Sequence, residues 1–199
     1  MYSFAQRDDI QVIDEPFYGY YLKYGQPRID HPAQQQILAS MPVGFDEVLN
    51  EIKNLASTSN VFLKGMAHHY LNDAPEFILP WTNVILIRHP ERLLASFSKV
   101  IQNPSLCDIG IKKAAHLYTF LKESGNTPVV IDSDELLKDP SNYLKLLCSV
   151  LKIPYMNSML HWKAGPIPED GIWAPYWYTN VHNSTGFVKQ SSSDRSMPA

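Results

Sequence analysis

The chain has 199 residues, of which 45% are apolar and 19% charged, a balance that excludes a disordered polymer and suffices for one domain with its own core. A formal charge of −3 excludes a broad nucleic-acid-binding surface but leaves room for a local cation cluster that holds one small anion. Two cysteines, Cys107 and Cys148, exclude a disulfide framework or a cysteine-based zinc site and point to a reduced, cytoplasmic setting; no apolar run is long enough to span a bilayer, and the N-terminus lacks a signal-peptide pattern.

In chain order, residues 1–7 have helical character, and Ile10 to Ile13 reads as a short strand closed by Asp14-Glu15-Pro16. Phe17 to Tyr24, with four tyrosines, predicts a half-buried helix or turn; residues 25–32 are a loop and 33–40 a short helix. Phe45, Val48, Leu49, Ile52 and Leu55 recur at helical spacing. Val61-Phe-Leu63 is a strand candidate, followed by Lys64-Gly-Met-Ala-His-His69.

Val84 to Ile87 reads as a strand buried on both faces, as in a parallel sheet. Arg88 ends it, and Pro90 sits where a first helical residue tolerates the loss of its N–H. Leu93, Leu94 and Phe97 then mark one apolar helical face. An arginine at a strand end, running directly into a helix, suits an anion: a planar fork of donors meets free N–H groups and the positive end of the helix dipole. Ser96 adds a hydroxyl from that helix.

Further on, residues 109–122 predict an amphipathic helix, Gly125-Asn126 a turn, and Pro128-Val-Val-Ile131 another buried strand. Asp139 before Pro140 predicts an N-cap, with Tyr143, Leu144, Leu147, Val150 and Leu151 turned inward on the helix that follows. Residues 165–187 are rich in Gly, Pro, Trp and Tyr, and residues 189–199 form a Ser-rich tail expected to be disordered. Short strands alternating with helices predict an α/β domain over residues 1–188, with a mostly parallel sheet whose ligands lie beyond the carboxyl ends of the strands. Lys64, Arg88 and Asp132 all follow predicted strands and are expected at such ends.

The run Arg88-His-Pro-Glu-Arg-Leu-Leu-Ala-Ser96 resembles the 3′-phosphate-binding motif of sulfotransferases, a buried strand, an Arg and a Ser eight residues later. Val129-Val-Ile-Asp-Ser-Asp-Glu-Leu-Leu-Lys-Asp-Pro140, with Leu151-Lys-Ile-Pro154, resembles that family's late strand and the Asp-Pro that opens its next helix. Met1-Tyr-Ser-Phe-Ala-Gln6, Asp14-Glu-Pro16, Lys64 to His69 and the Trp-rich segment are similar to a small sulfotransferase-like branch sometimes labelled branched-chain aminotransferase-like. The resemblance implies a P-loop-like three-layer α/β fold. It also implies transfer of a sulfuryl group from 3′-phosphoadenosine-5′-phosphosulfate, as co-substrate, to a hydroxyl or amine without a required metal. Arg88 and Ser96 would hold the 3′-phosphate, and Lys64 with His68 or His69 would lie at the transfer site. Partners would be the nucleotide and a small acceptor, with neither nucleic acid nor membrane involved.

The sequence departs from that family in three places. The strand and Ser/Thr loop that cradle the 5′-phosphosulfate would precede Met1, so the chain reads as N-terminally shortened. The family's catalytic His stands two residues after a strand-end Lys, whereas His68 and His69 stand four and five after Lys64. Ser133 takes the place where many relatives stack a Tyr near adenine. Other readings stay open. Being adjacent, His68 and His69 diverge by about 100° on a helix, which disfavours a shared metal. Asp14 and Glu15 are candidates to cap a helix beginning at Pro16. Trp162, Trp173, Trp177 and the nearby tyrosines are candidates for core or for a cover over the site. Two further alternatives are a non-catalytic nucleotide- or partner-binding module and, from Asp132-Ser-Asp134, a magnesium-dependent phosphotransferase.

Overall fold

The computed structural model describes residues 1–27, 30–98 and 108–188; the expected tail and Cys107 lie outside them. In order, β1 (Ile10–Asp14) is followed by α1 (Tyr18–Tyr24), α2 (Gln34–Ser40), α3 (Phe45–Ala56) and β2 (Asn60–Lys64). Then come β3 (Val84–Ile87), α4 (Pro90–Phe97), α5 (Ile111–Glu123), β4 (Val129–Asp132), α6 (Ser133–Leu136) and α7 (Pro140–Leu151). Two four-residue helices, α8 (Ala174–Trp177) and α9 (Thr179–His182), end the described order. Among these residues both strand pairs are parallel, β1 with β2 and β3 with β4. Parallel neighbours need a crossover, and helices α1–α3 and α4–α5 supply it. The α/β class, with parallel strands flanked by helices, is as the alternation of elements predicts.

The chain divides into two compact units. The first joins residues 1–71 with 156–186. Its core holds Tyr18 and Leu22 of α1, Ile37 of α2 and Trp173, with Tyr21, Trp177 and Tyr178 packed around them. Phe4 stacks on Phe62 of β2 at 4.2 Å between ring centroids. Helix α3 buries Val48, Leu49 and Ile52, carries Asp46 and Glu47 in its first turn and Lys53 in its last, and so matches its own dipole. The segment after residue 156 closes on itself through an antiparallel bridge between His161 and Gly186. Trp162 and Trp173 are buried core residues, while Trp177 is half-buried.

The second unit joins residues 72–155 with 187–199, of which 189–199 lie outside the described residues. Helix α5 buries Leu117 and Leu121 and ends where Gly125 takes φ 78°, a left-handed conformation that lets the Asn126 N–H reach back to the Leu121 carbonyl at 2.8 Å. Asp139 caps α7 as expected, accepting from the Asn142 N–H at 3.2 Å. Two expectations fail here. Strand β3 is not buried on both faces: Val84 is 37% exposed, Leu86 64% and Ile87 44%, with Val130 of β4 at 42%. Among the described residues β3 is hydrogen-bonded to β4 alone, and a two-stranded sheet leaves much of its surface in solvent. Val150 faces outward at 59% exposure. It lies about 120° around the helix from Leu144, off the stripe of Leu144, Leu147 and Cys148 that is buried.

Candidate functional site at the strand ends

Parallel pairing brings the carboxyl ends of two strands together in each unit. In the first unit the register sets Asp14, the last residue of β1, opposite Lys64, the last of β2. The ladder continues one step further, because the Glu15 N–H donates to the Lys64 carbonyl at 2.6 Å. Glu15 holds φ 45°, a left-handed conformation costing about 1–3 kcal/mol for a residue other than glycine. That twist places both carboxylates beside one ammonium. Lys64 Nζ donates to Glu15 Oε1 and lies 3.4 Å from Asp14 Oδ1. The two carboxylate side chains are almost fully buried, and that of Lys64 keeps 24% exposure. Asp14 and Glu15 therefore do not serve as a helix cap; α1 has no side-chain cap, and the carboxylates are committed to Lys64.

A third group completes the cluster. Tyr178, at the junction of α8 and α9, receives Lys64 Nζ at 2.6 Å and Trp173 Nε1 at 3.3 Å on its hydroxyl oxygen. Its O–H faces Asp14 Oδ1 at 2.8 Å, Oδ2 at 2.9 Å and Glu15 Oε1 at 3.2 Å. Asp14 Oδ2 also accepts the Gly171 N–H at 3.2 Å. A Cβ on Gly171 would lie 2.1 Å from the Trp173 indole, so only glycine brings that N–H so close. Burial pushes the Lys64 ammonium below the usual lysine range, and the charge of Asp14 draws it partly back. Burial, and then the Asp14 charge, push the Tyr178 phenol well above its ordinary value, so it stays a donor.

His69 lies beside this cluster at 2% exposure, stacked on Tyr18 at 4.7 Å and on Tyr21 at 5.0 Å. Its Nδ1 is 3.9 Å from Glu15 Oε2 and makes no hydrogen bond among the described residues. Burial holds its pKa well below the ordinary histidine value, with His68, Lys64 and His31 adding to that, so the ring is neutral. His68 is half-buried, its ring turned 86° from that of His69. The ring centroids stand 4.8 Å apart in an edge contact, so the two rings meet rather than diverge as helical positions predict. A second cluster in this unit centres on Asp170 Oδ2, which takes Tyr2 Oη at 2.6 Å, His182 Nε2 at 2.9 Å and the Ile167 N–H at 3.1 Å.

In the second unit Ile87 stands opposite Asp132, so Arg88 and Asp132 share one end of the β3–β4 pair. Arg88 is half-buried and leads through His89 into α4, whose proline is in the first turn and whose cap residue makes no side-chain bond. Ser96, near the far end of α4, is also half-buried. Asp132 caps α6 through the Asp134 and Glu135 N–H groups, at 2.8 and 3.4 Å. Asp134 pairs with Arg92 of α4 at 2.5 Å. The Asp-x-Asp carboxylates therefore have structural tasks, one as a cap and one as an ion-pair partner. Ser133 opens α6 and is half-buried.

Of the residues singled out from sequence, Lys64, His68 and His69 thus gather in the first unit, while Arg88 precedes α4 and Ser96 lies near the other end of that helix in the second. Tyr178, Gly171 and the Asp170–His182 pair were not foreseen as site residues. Tyr178 lies 164 positions from Asp14, and local pattern carries no signal of such a pairing. The excess of aromatic residues in 165–187 is the one trace of it.

Comparison with known proteins finds relatives that match the whole length of this chain. Branched-chain-amino-acid aminotransferase-like protein 1 of Arabidopsis thaliana is 42% identical over 200 residues, covering 100% of this chain and 36% of that protein. Branched-chain-amino-acid aminotransferase-like protein 2 of the same plant is 40% identical, covering 100% and 35%. The chain thus spans about a third of the length of these curated relatives. A solved structure, the sulfotransferase domain from the curacin biosynthetic pathway, superposes with a TM-score of 0.45 at 15% identity, covering 87% of this chain and 65% of that one; at that score the likeness carries no argument. The profile described as Sulfotransferase domain matches residues 1–196, nearly the whole chain, and by that match the chain belongs to the sulfotransferase domain family.

Proposed function

We propose that this chain transfers a sulfuryl group from 3′-phosphoadenosine-5′-phosphosulfate to a hydroxyl or amine of a small acceptor, in the cytoplasm. Arg88 and Ser96 hold the donor's 3′-phosphate. The guanidinium offers a planar fork, the serine a hydroxyl, and the first turn of α4 backbone N–H groups at the positive end of its dipole. The observation that carries this reading is the uninterrupted strand, Arg88 and helix with Ser96 on it, in a chain matched by the sulfotransferase family over residues 1–196.

The acceptor chemistry falls to Asp14, Glu15, Lys64 and the neighbouring His68 and His69. Sulfuryl transfer needs an in-line arrangement, a group that takes the acceptor's proton and a positive charge beside the reacting oxygens. Glu15 is the residue we place as proton acceptor. Its Oε1 is held by Lys64, while Oε2 faces His69. Lys64 supplies the positive charge. Radiolabelled transfer from the donor to a panel of hydroxyl and amine acceptors tests this reading, with Glu15→Gln and Arg88→Ala each expected to reduce transfer about 100-fold or more.

One observation favours a second reading, a non-catalytic module that binds nucleotide or a partner: the apolar residues of β3 are exposed. Binding of adenosine 3′,5′-bisphosphate without transfer to any acceptor would support that module. Transfer would exclude it.

A further inference from the structure

At the carboxyl end of β3 and β4 a second arginine stands beside the turn that carries Arg88. The register sets Ile87 opposite Asp132, so the residues directly after Asp132 share an end with Arg88. Arg92, in the first turn of α4, reaches that end: its Nη1 donates to Asp134 Oδ1 at 2.5 Å. Asp134 is itself fixed, because its N–H donates to Asp132 Oδ1 at 2.8 Å, and the Asp132 N–H donates to the Tyr143 hydroxyl of α7 at 3.1 Å. Strand β4, α6 and α7 thus hold one edge of the guanidinium. A guanidinium has five N–H donors in a planar fork. Among the described residues only Nη1 of Arg92 is engaged; Nε and Nη2, the parallel pair that suits two oxygens of one phosphate, are not. The side chain keeps 36% exposure, so a ligand in solvent can reach it.

Ser133 is a second, independent sign of a ligand at this end. It lies between the two carboxylates, and its buried Oγ has no hydrogen-bond partner among the described residues. A buried hydroxyl without a partner is costly and rare in a folded chain, and a ligand that accepts from it removes the cost. The acidic groups nearby already have tasks. Asp132 Oδ1 takes the N–H groups of Asp134 and Glu135, Asp134 Oδ1 takes Arg92, and Glu135 Oε1 takes Lys138. Resting on the sulfuryl-transfer reading above, we propose that Arg92 and Ser133 are further ligands of the donor's 3′-phosphate, with Asp134 aiming Arg92 at it. Arg88 meets the phosphate from the strand end, Arg92 turns its Nε–Nη2 edge to it from α4, and Ser133 donates its hydroxyl from α6. A phosphate monoester carries a charge of about −1.5 to −2 at neutral pH, which two guanidiniums match and one does not. The Asp132-Ser-Asp134 run thereby belongs to the donor site, its carboxylates fixing the groups that bind.

Calorimetric titration with adenosine 3′,5′-bisphosphate, on the intact chain and on single variants, tests this. Arg92→Ala should weaken binding about 10-fold or more, and Arg92→Lys, which keeps the charge without the fork, should recover only part of the loss. Ser133→Ala should weaken binding about 3- to 10-fold while the melting temperature of the ligand-free protein does not fall, because the hydroxyl it removes has no partner within the described chain. Asp134→Asn should bind at least as tightly as the intact chain: its amide oxygen still accepts from Nη1, and a negative charge beside the phosphate is gone. A loss in Asp134→Asn as large as that in Arg92→Ala would make the pair a brace between α4 and α6 and overturn direct contact. Full recovery in Arg92→Lys would overturn the fork, and unchanged affinity in Ser133→Ala would strike that residue from the site. Binding that Arg88→Ala abolishes, and that Arg92→Ala and Ser133→Ala leave unchanged, would overturn this proposal and leave the donor reading standing. No binding to the intact chain would overturn both.

Discussion

The two strand ends of this chain solve opposite problems. At the end of β1 and β2, two carboxylates, an ammonium and a phenol are packed among aromatic rings and satisfy one another. At the end of β3 and β4, Arg88 stands half-buried at the turn into α4 and Ser96 half-buried near that helix's far end, next to a strand whose apolar residues face solvent. The first is organised around groups within the protein, and the second is the end where we place the donor's anion. Buried charges held in one geometry are fixed at a cost in solvation. A half-buried arginine at a helix start keeps contact with solvent, and its planar fork suits a phosphate. Substitutions at the first end should therefore be read mainly in stability and at the second mainly in binding.

The sharpest way to break that contrast is to remove the central cation. Lys64→Ala leaves Asp14 and Glu15 buried without their partner, and should lower unfolding free energy by about 3–5 kcal/mol in urea denaturation. Arg92→Ala, which breaks the half-exposed pair with Asp134, should cost about 0–1 kcal/mol. A loss of similar size in the two variants would erase the distinction. The apolar residues supply a parallel pair: Ile37→Ala, in the core of the first unit, should cost about 2–5 kcal/mol. Leu86→Ala, on exposed β3, should stay within about 0.5 kcal/mol.

Acidity gives a further contrast. The folded pKa of His69 lies well below its unfolded value of 6.5, so the unfolded chain binds the extra proton. Stability is therefore retained above pH 6.5 and lost as pH falls from there toward the folded pKa, with a slope of up to about 1.4 kcal/mol per pH unit. His69→Phe, which keeps the stack on Tyr18 and Tyr21, should flatten that slope in melts between pH 7.5 and 5.5. An unchanged slope would mean that other groups control the acid limb. A modest effect is expected at α7, where Asp139→Ala should cost about 1 kcal/mol through loss of the cap on Asn142.

How much of this was legible in the sequence divides along the same line. The β3–Arg88–α4 turn is local: an apolar run, an arginine and a proline at a first helical position, so spacing alone located it. The caps at Asp139 and the strand-end places of Lys64 and Asp132 were readable for the same reason. The burial of β3 was not, because an apolar run of four is the same string whether or not its faces are covered. The carboxylate–lysine–tyrosine cluster depended on register between β1 and β2 and on a hydroxyl 164 positions away, which no local period encodes. Asp14 and Glu15 were read as a cap because capping is the local use of an acidic pair. The left-handed turn at Glu15 directs them to Lys64 instead.

The central claim is that Arg88 grips the 3′-phosphate of a sulfuryl donor, and calorimetric titration of the intact chain with adenosine 3′,5′-bisphosphate tests it most directly. Saturable binding weakened about 10- to 100-fold by Arg88→Ala is the predicted result. No heat of binding at millimolar ligand, or equal affinity in Arg88→Ala, would contradict it.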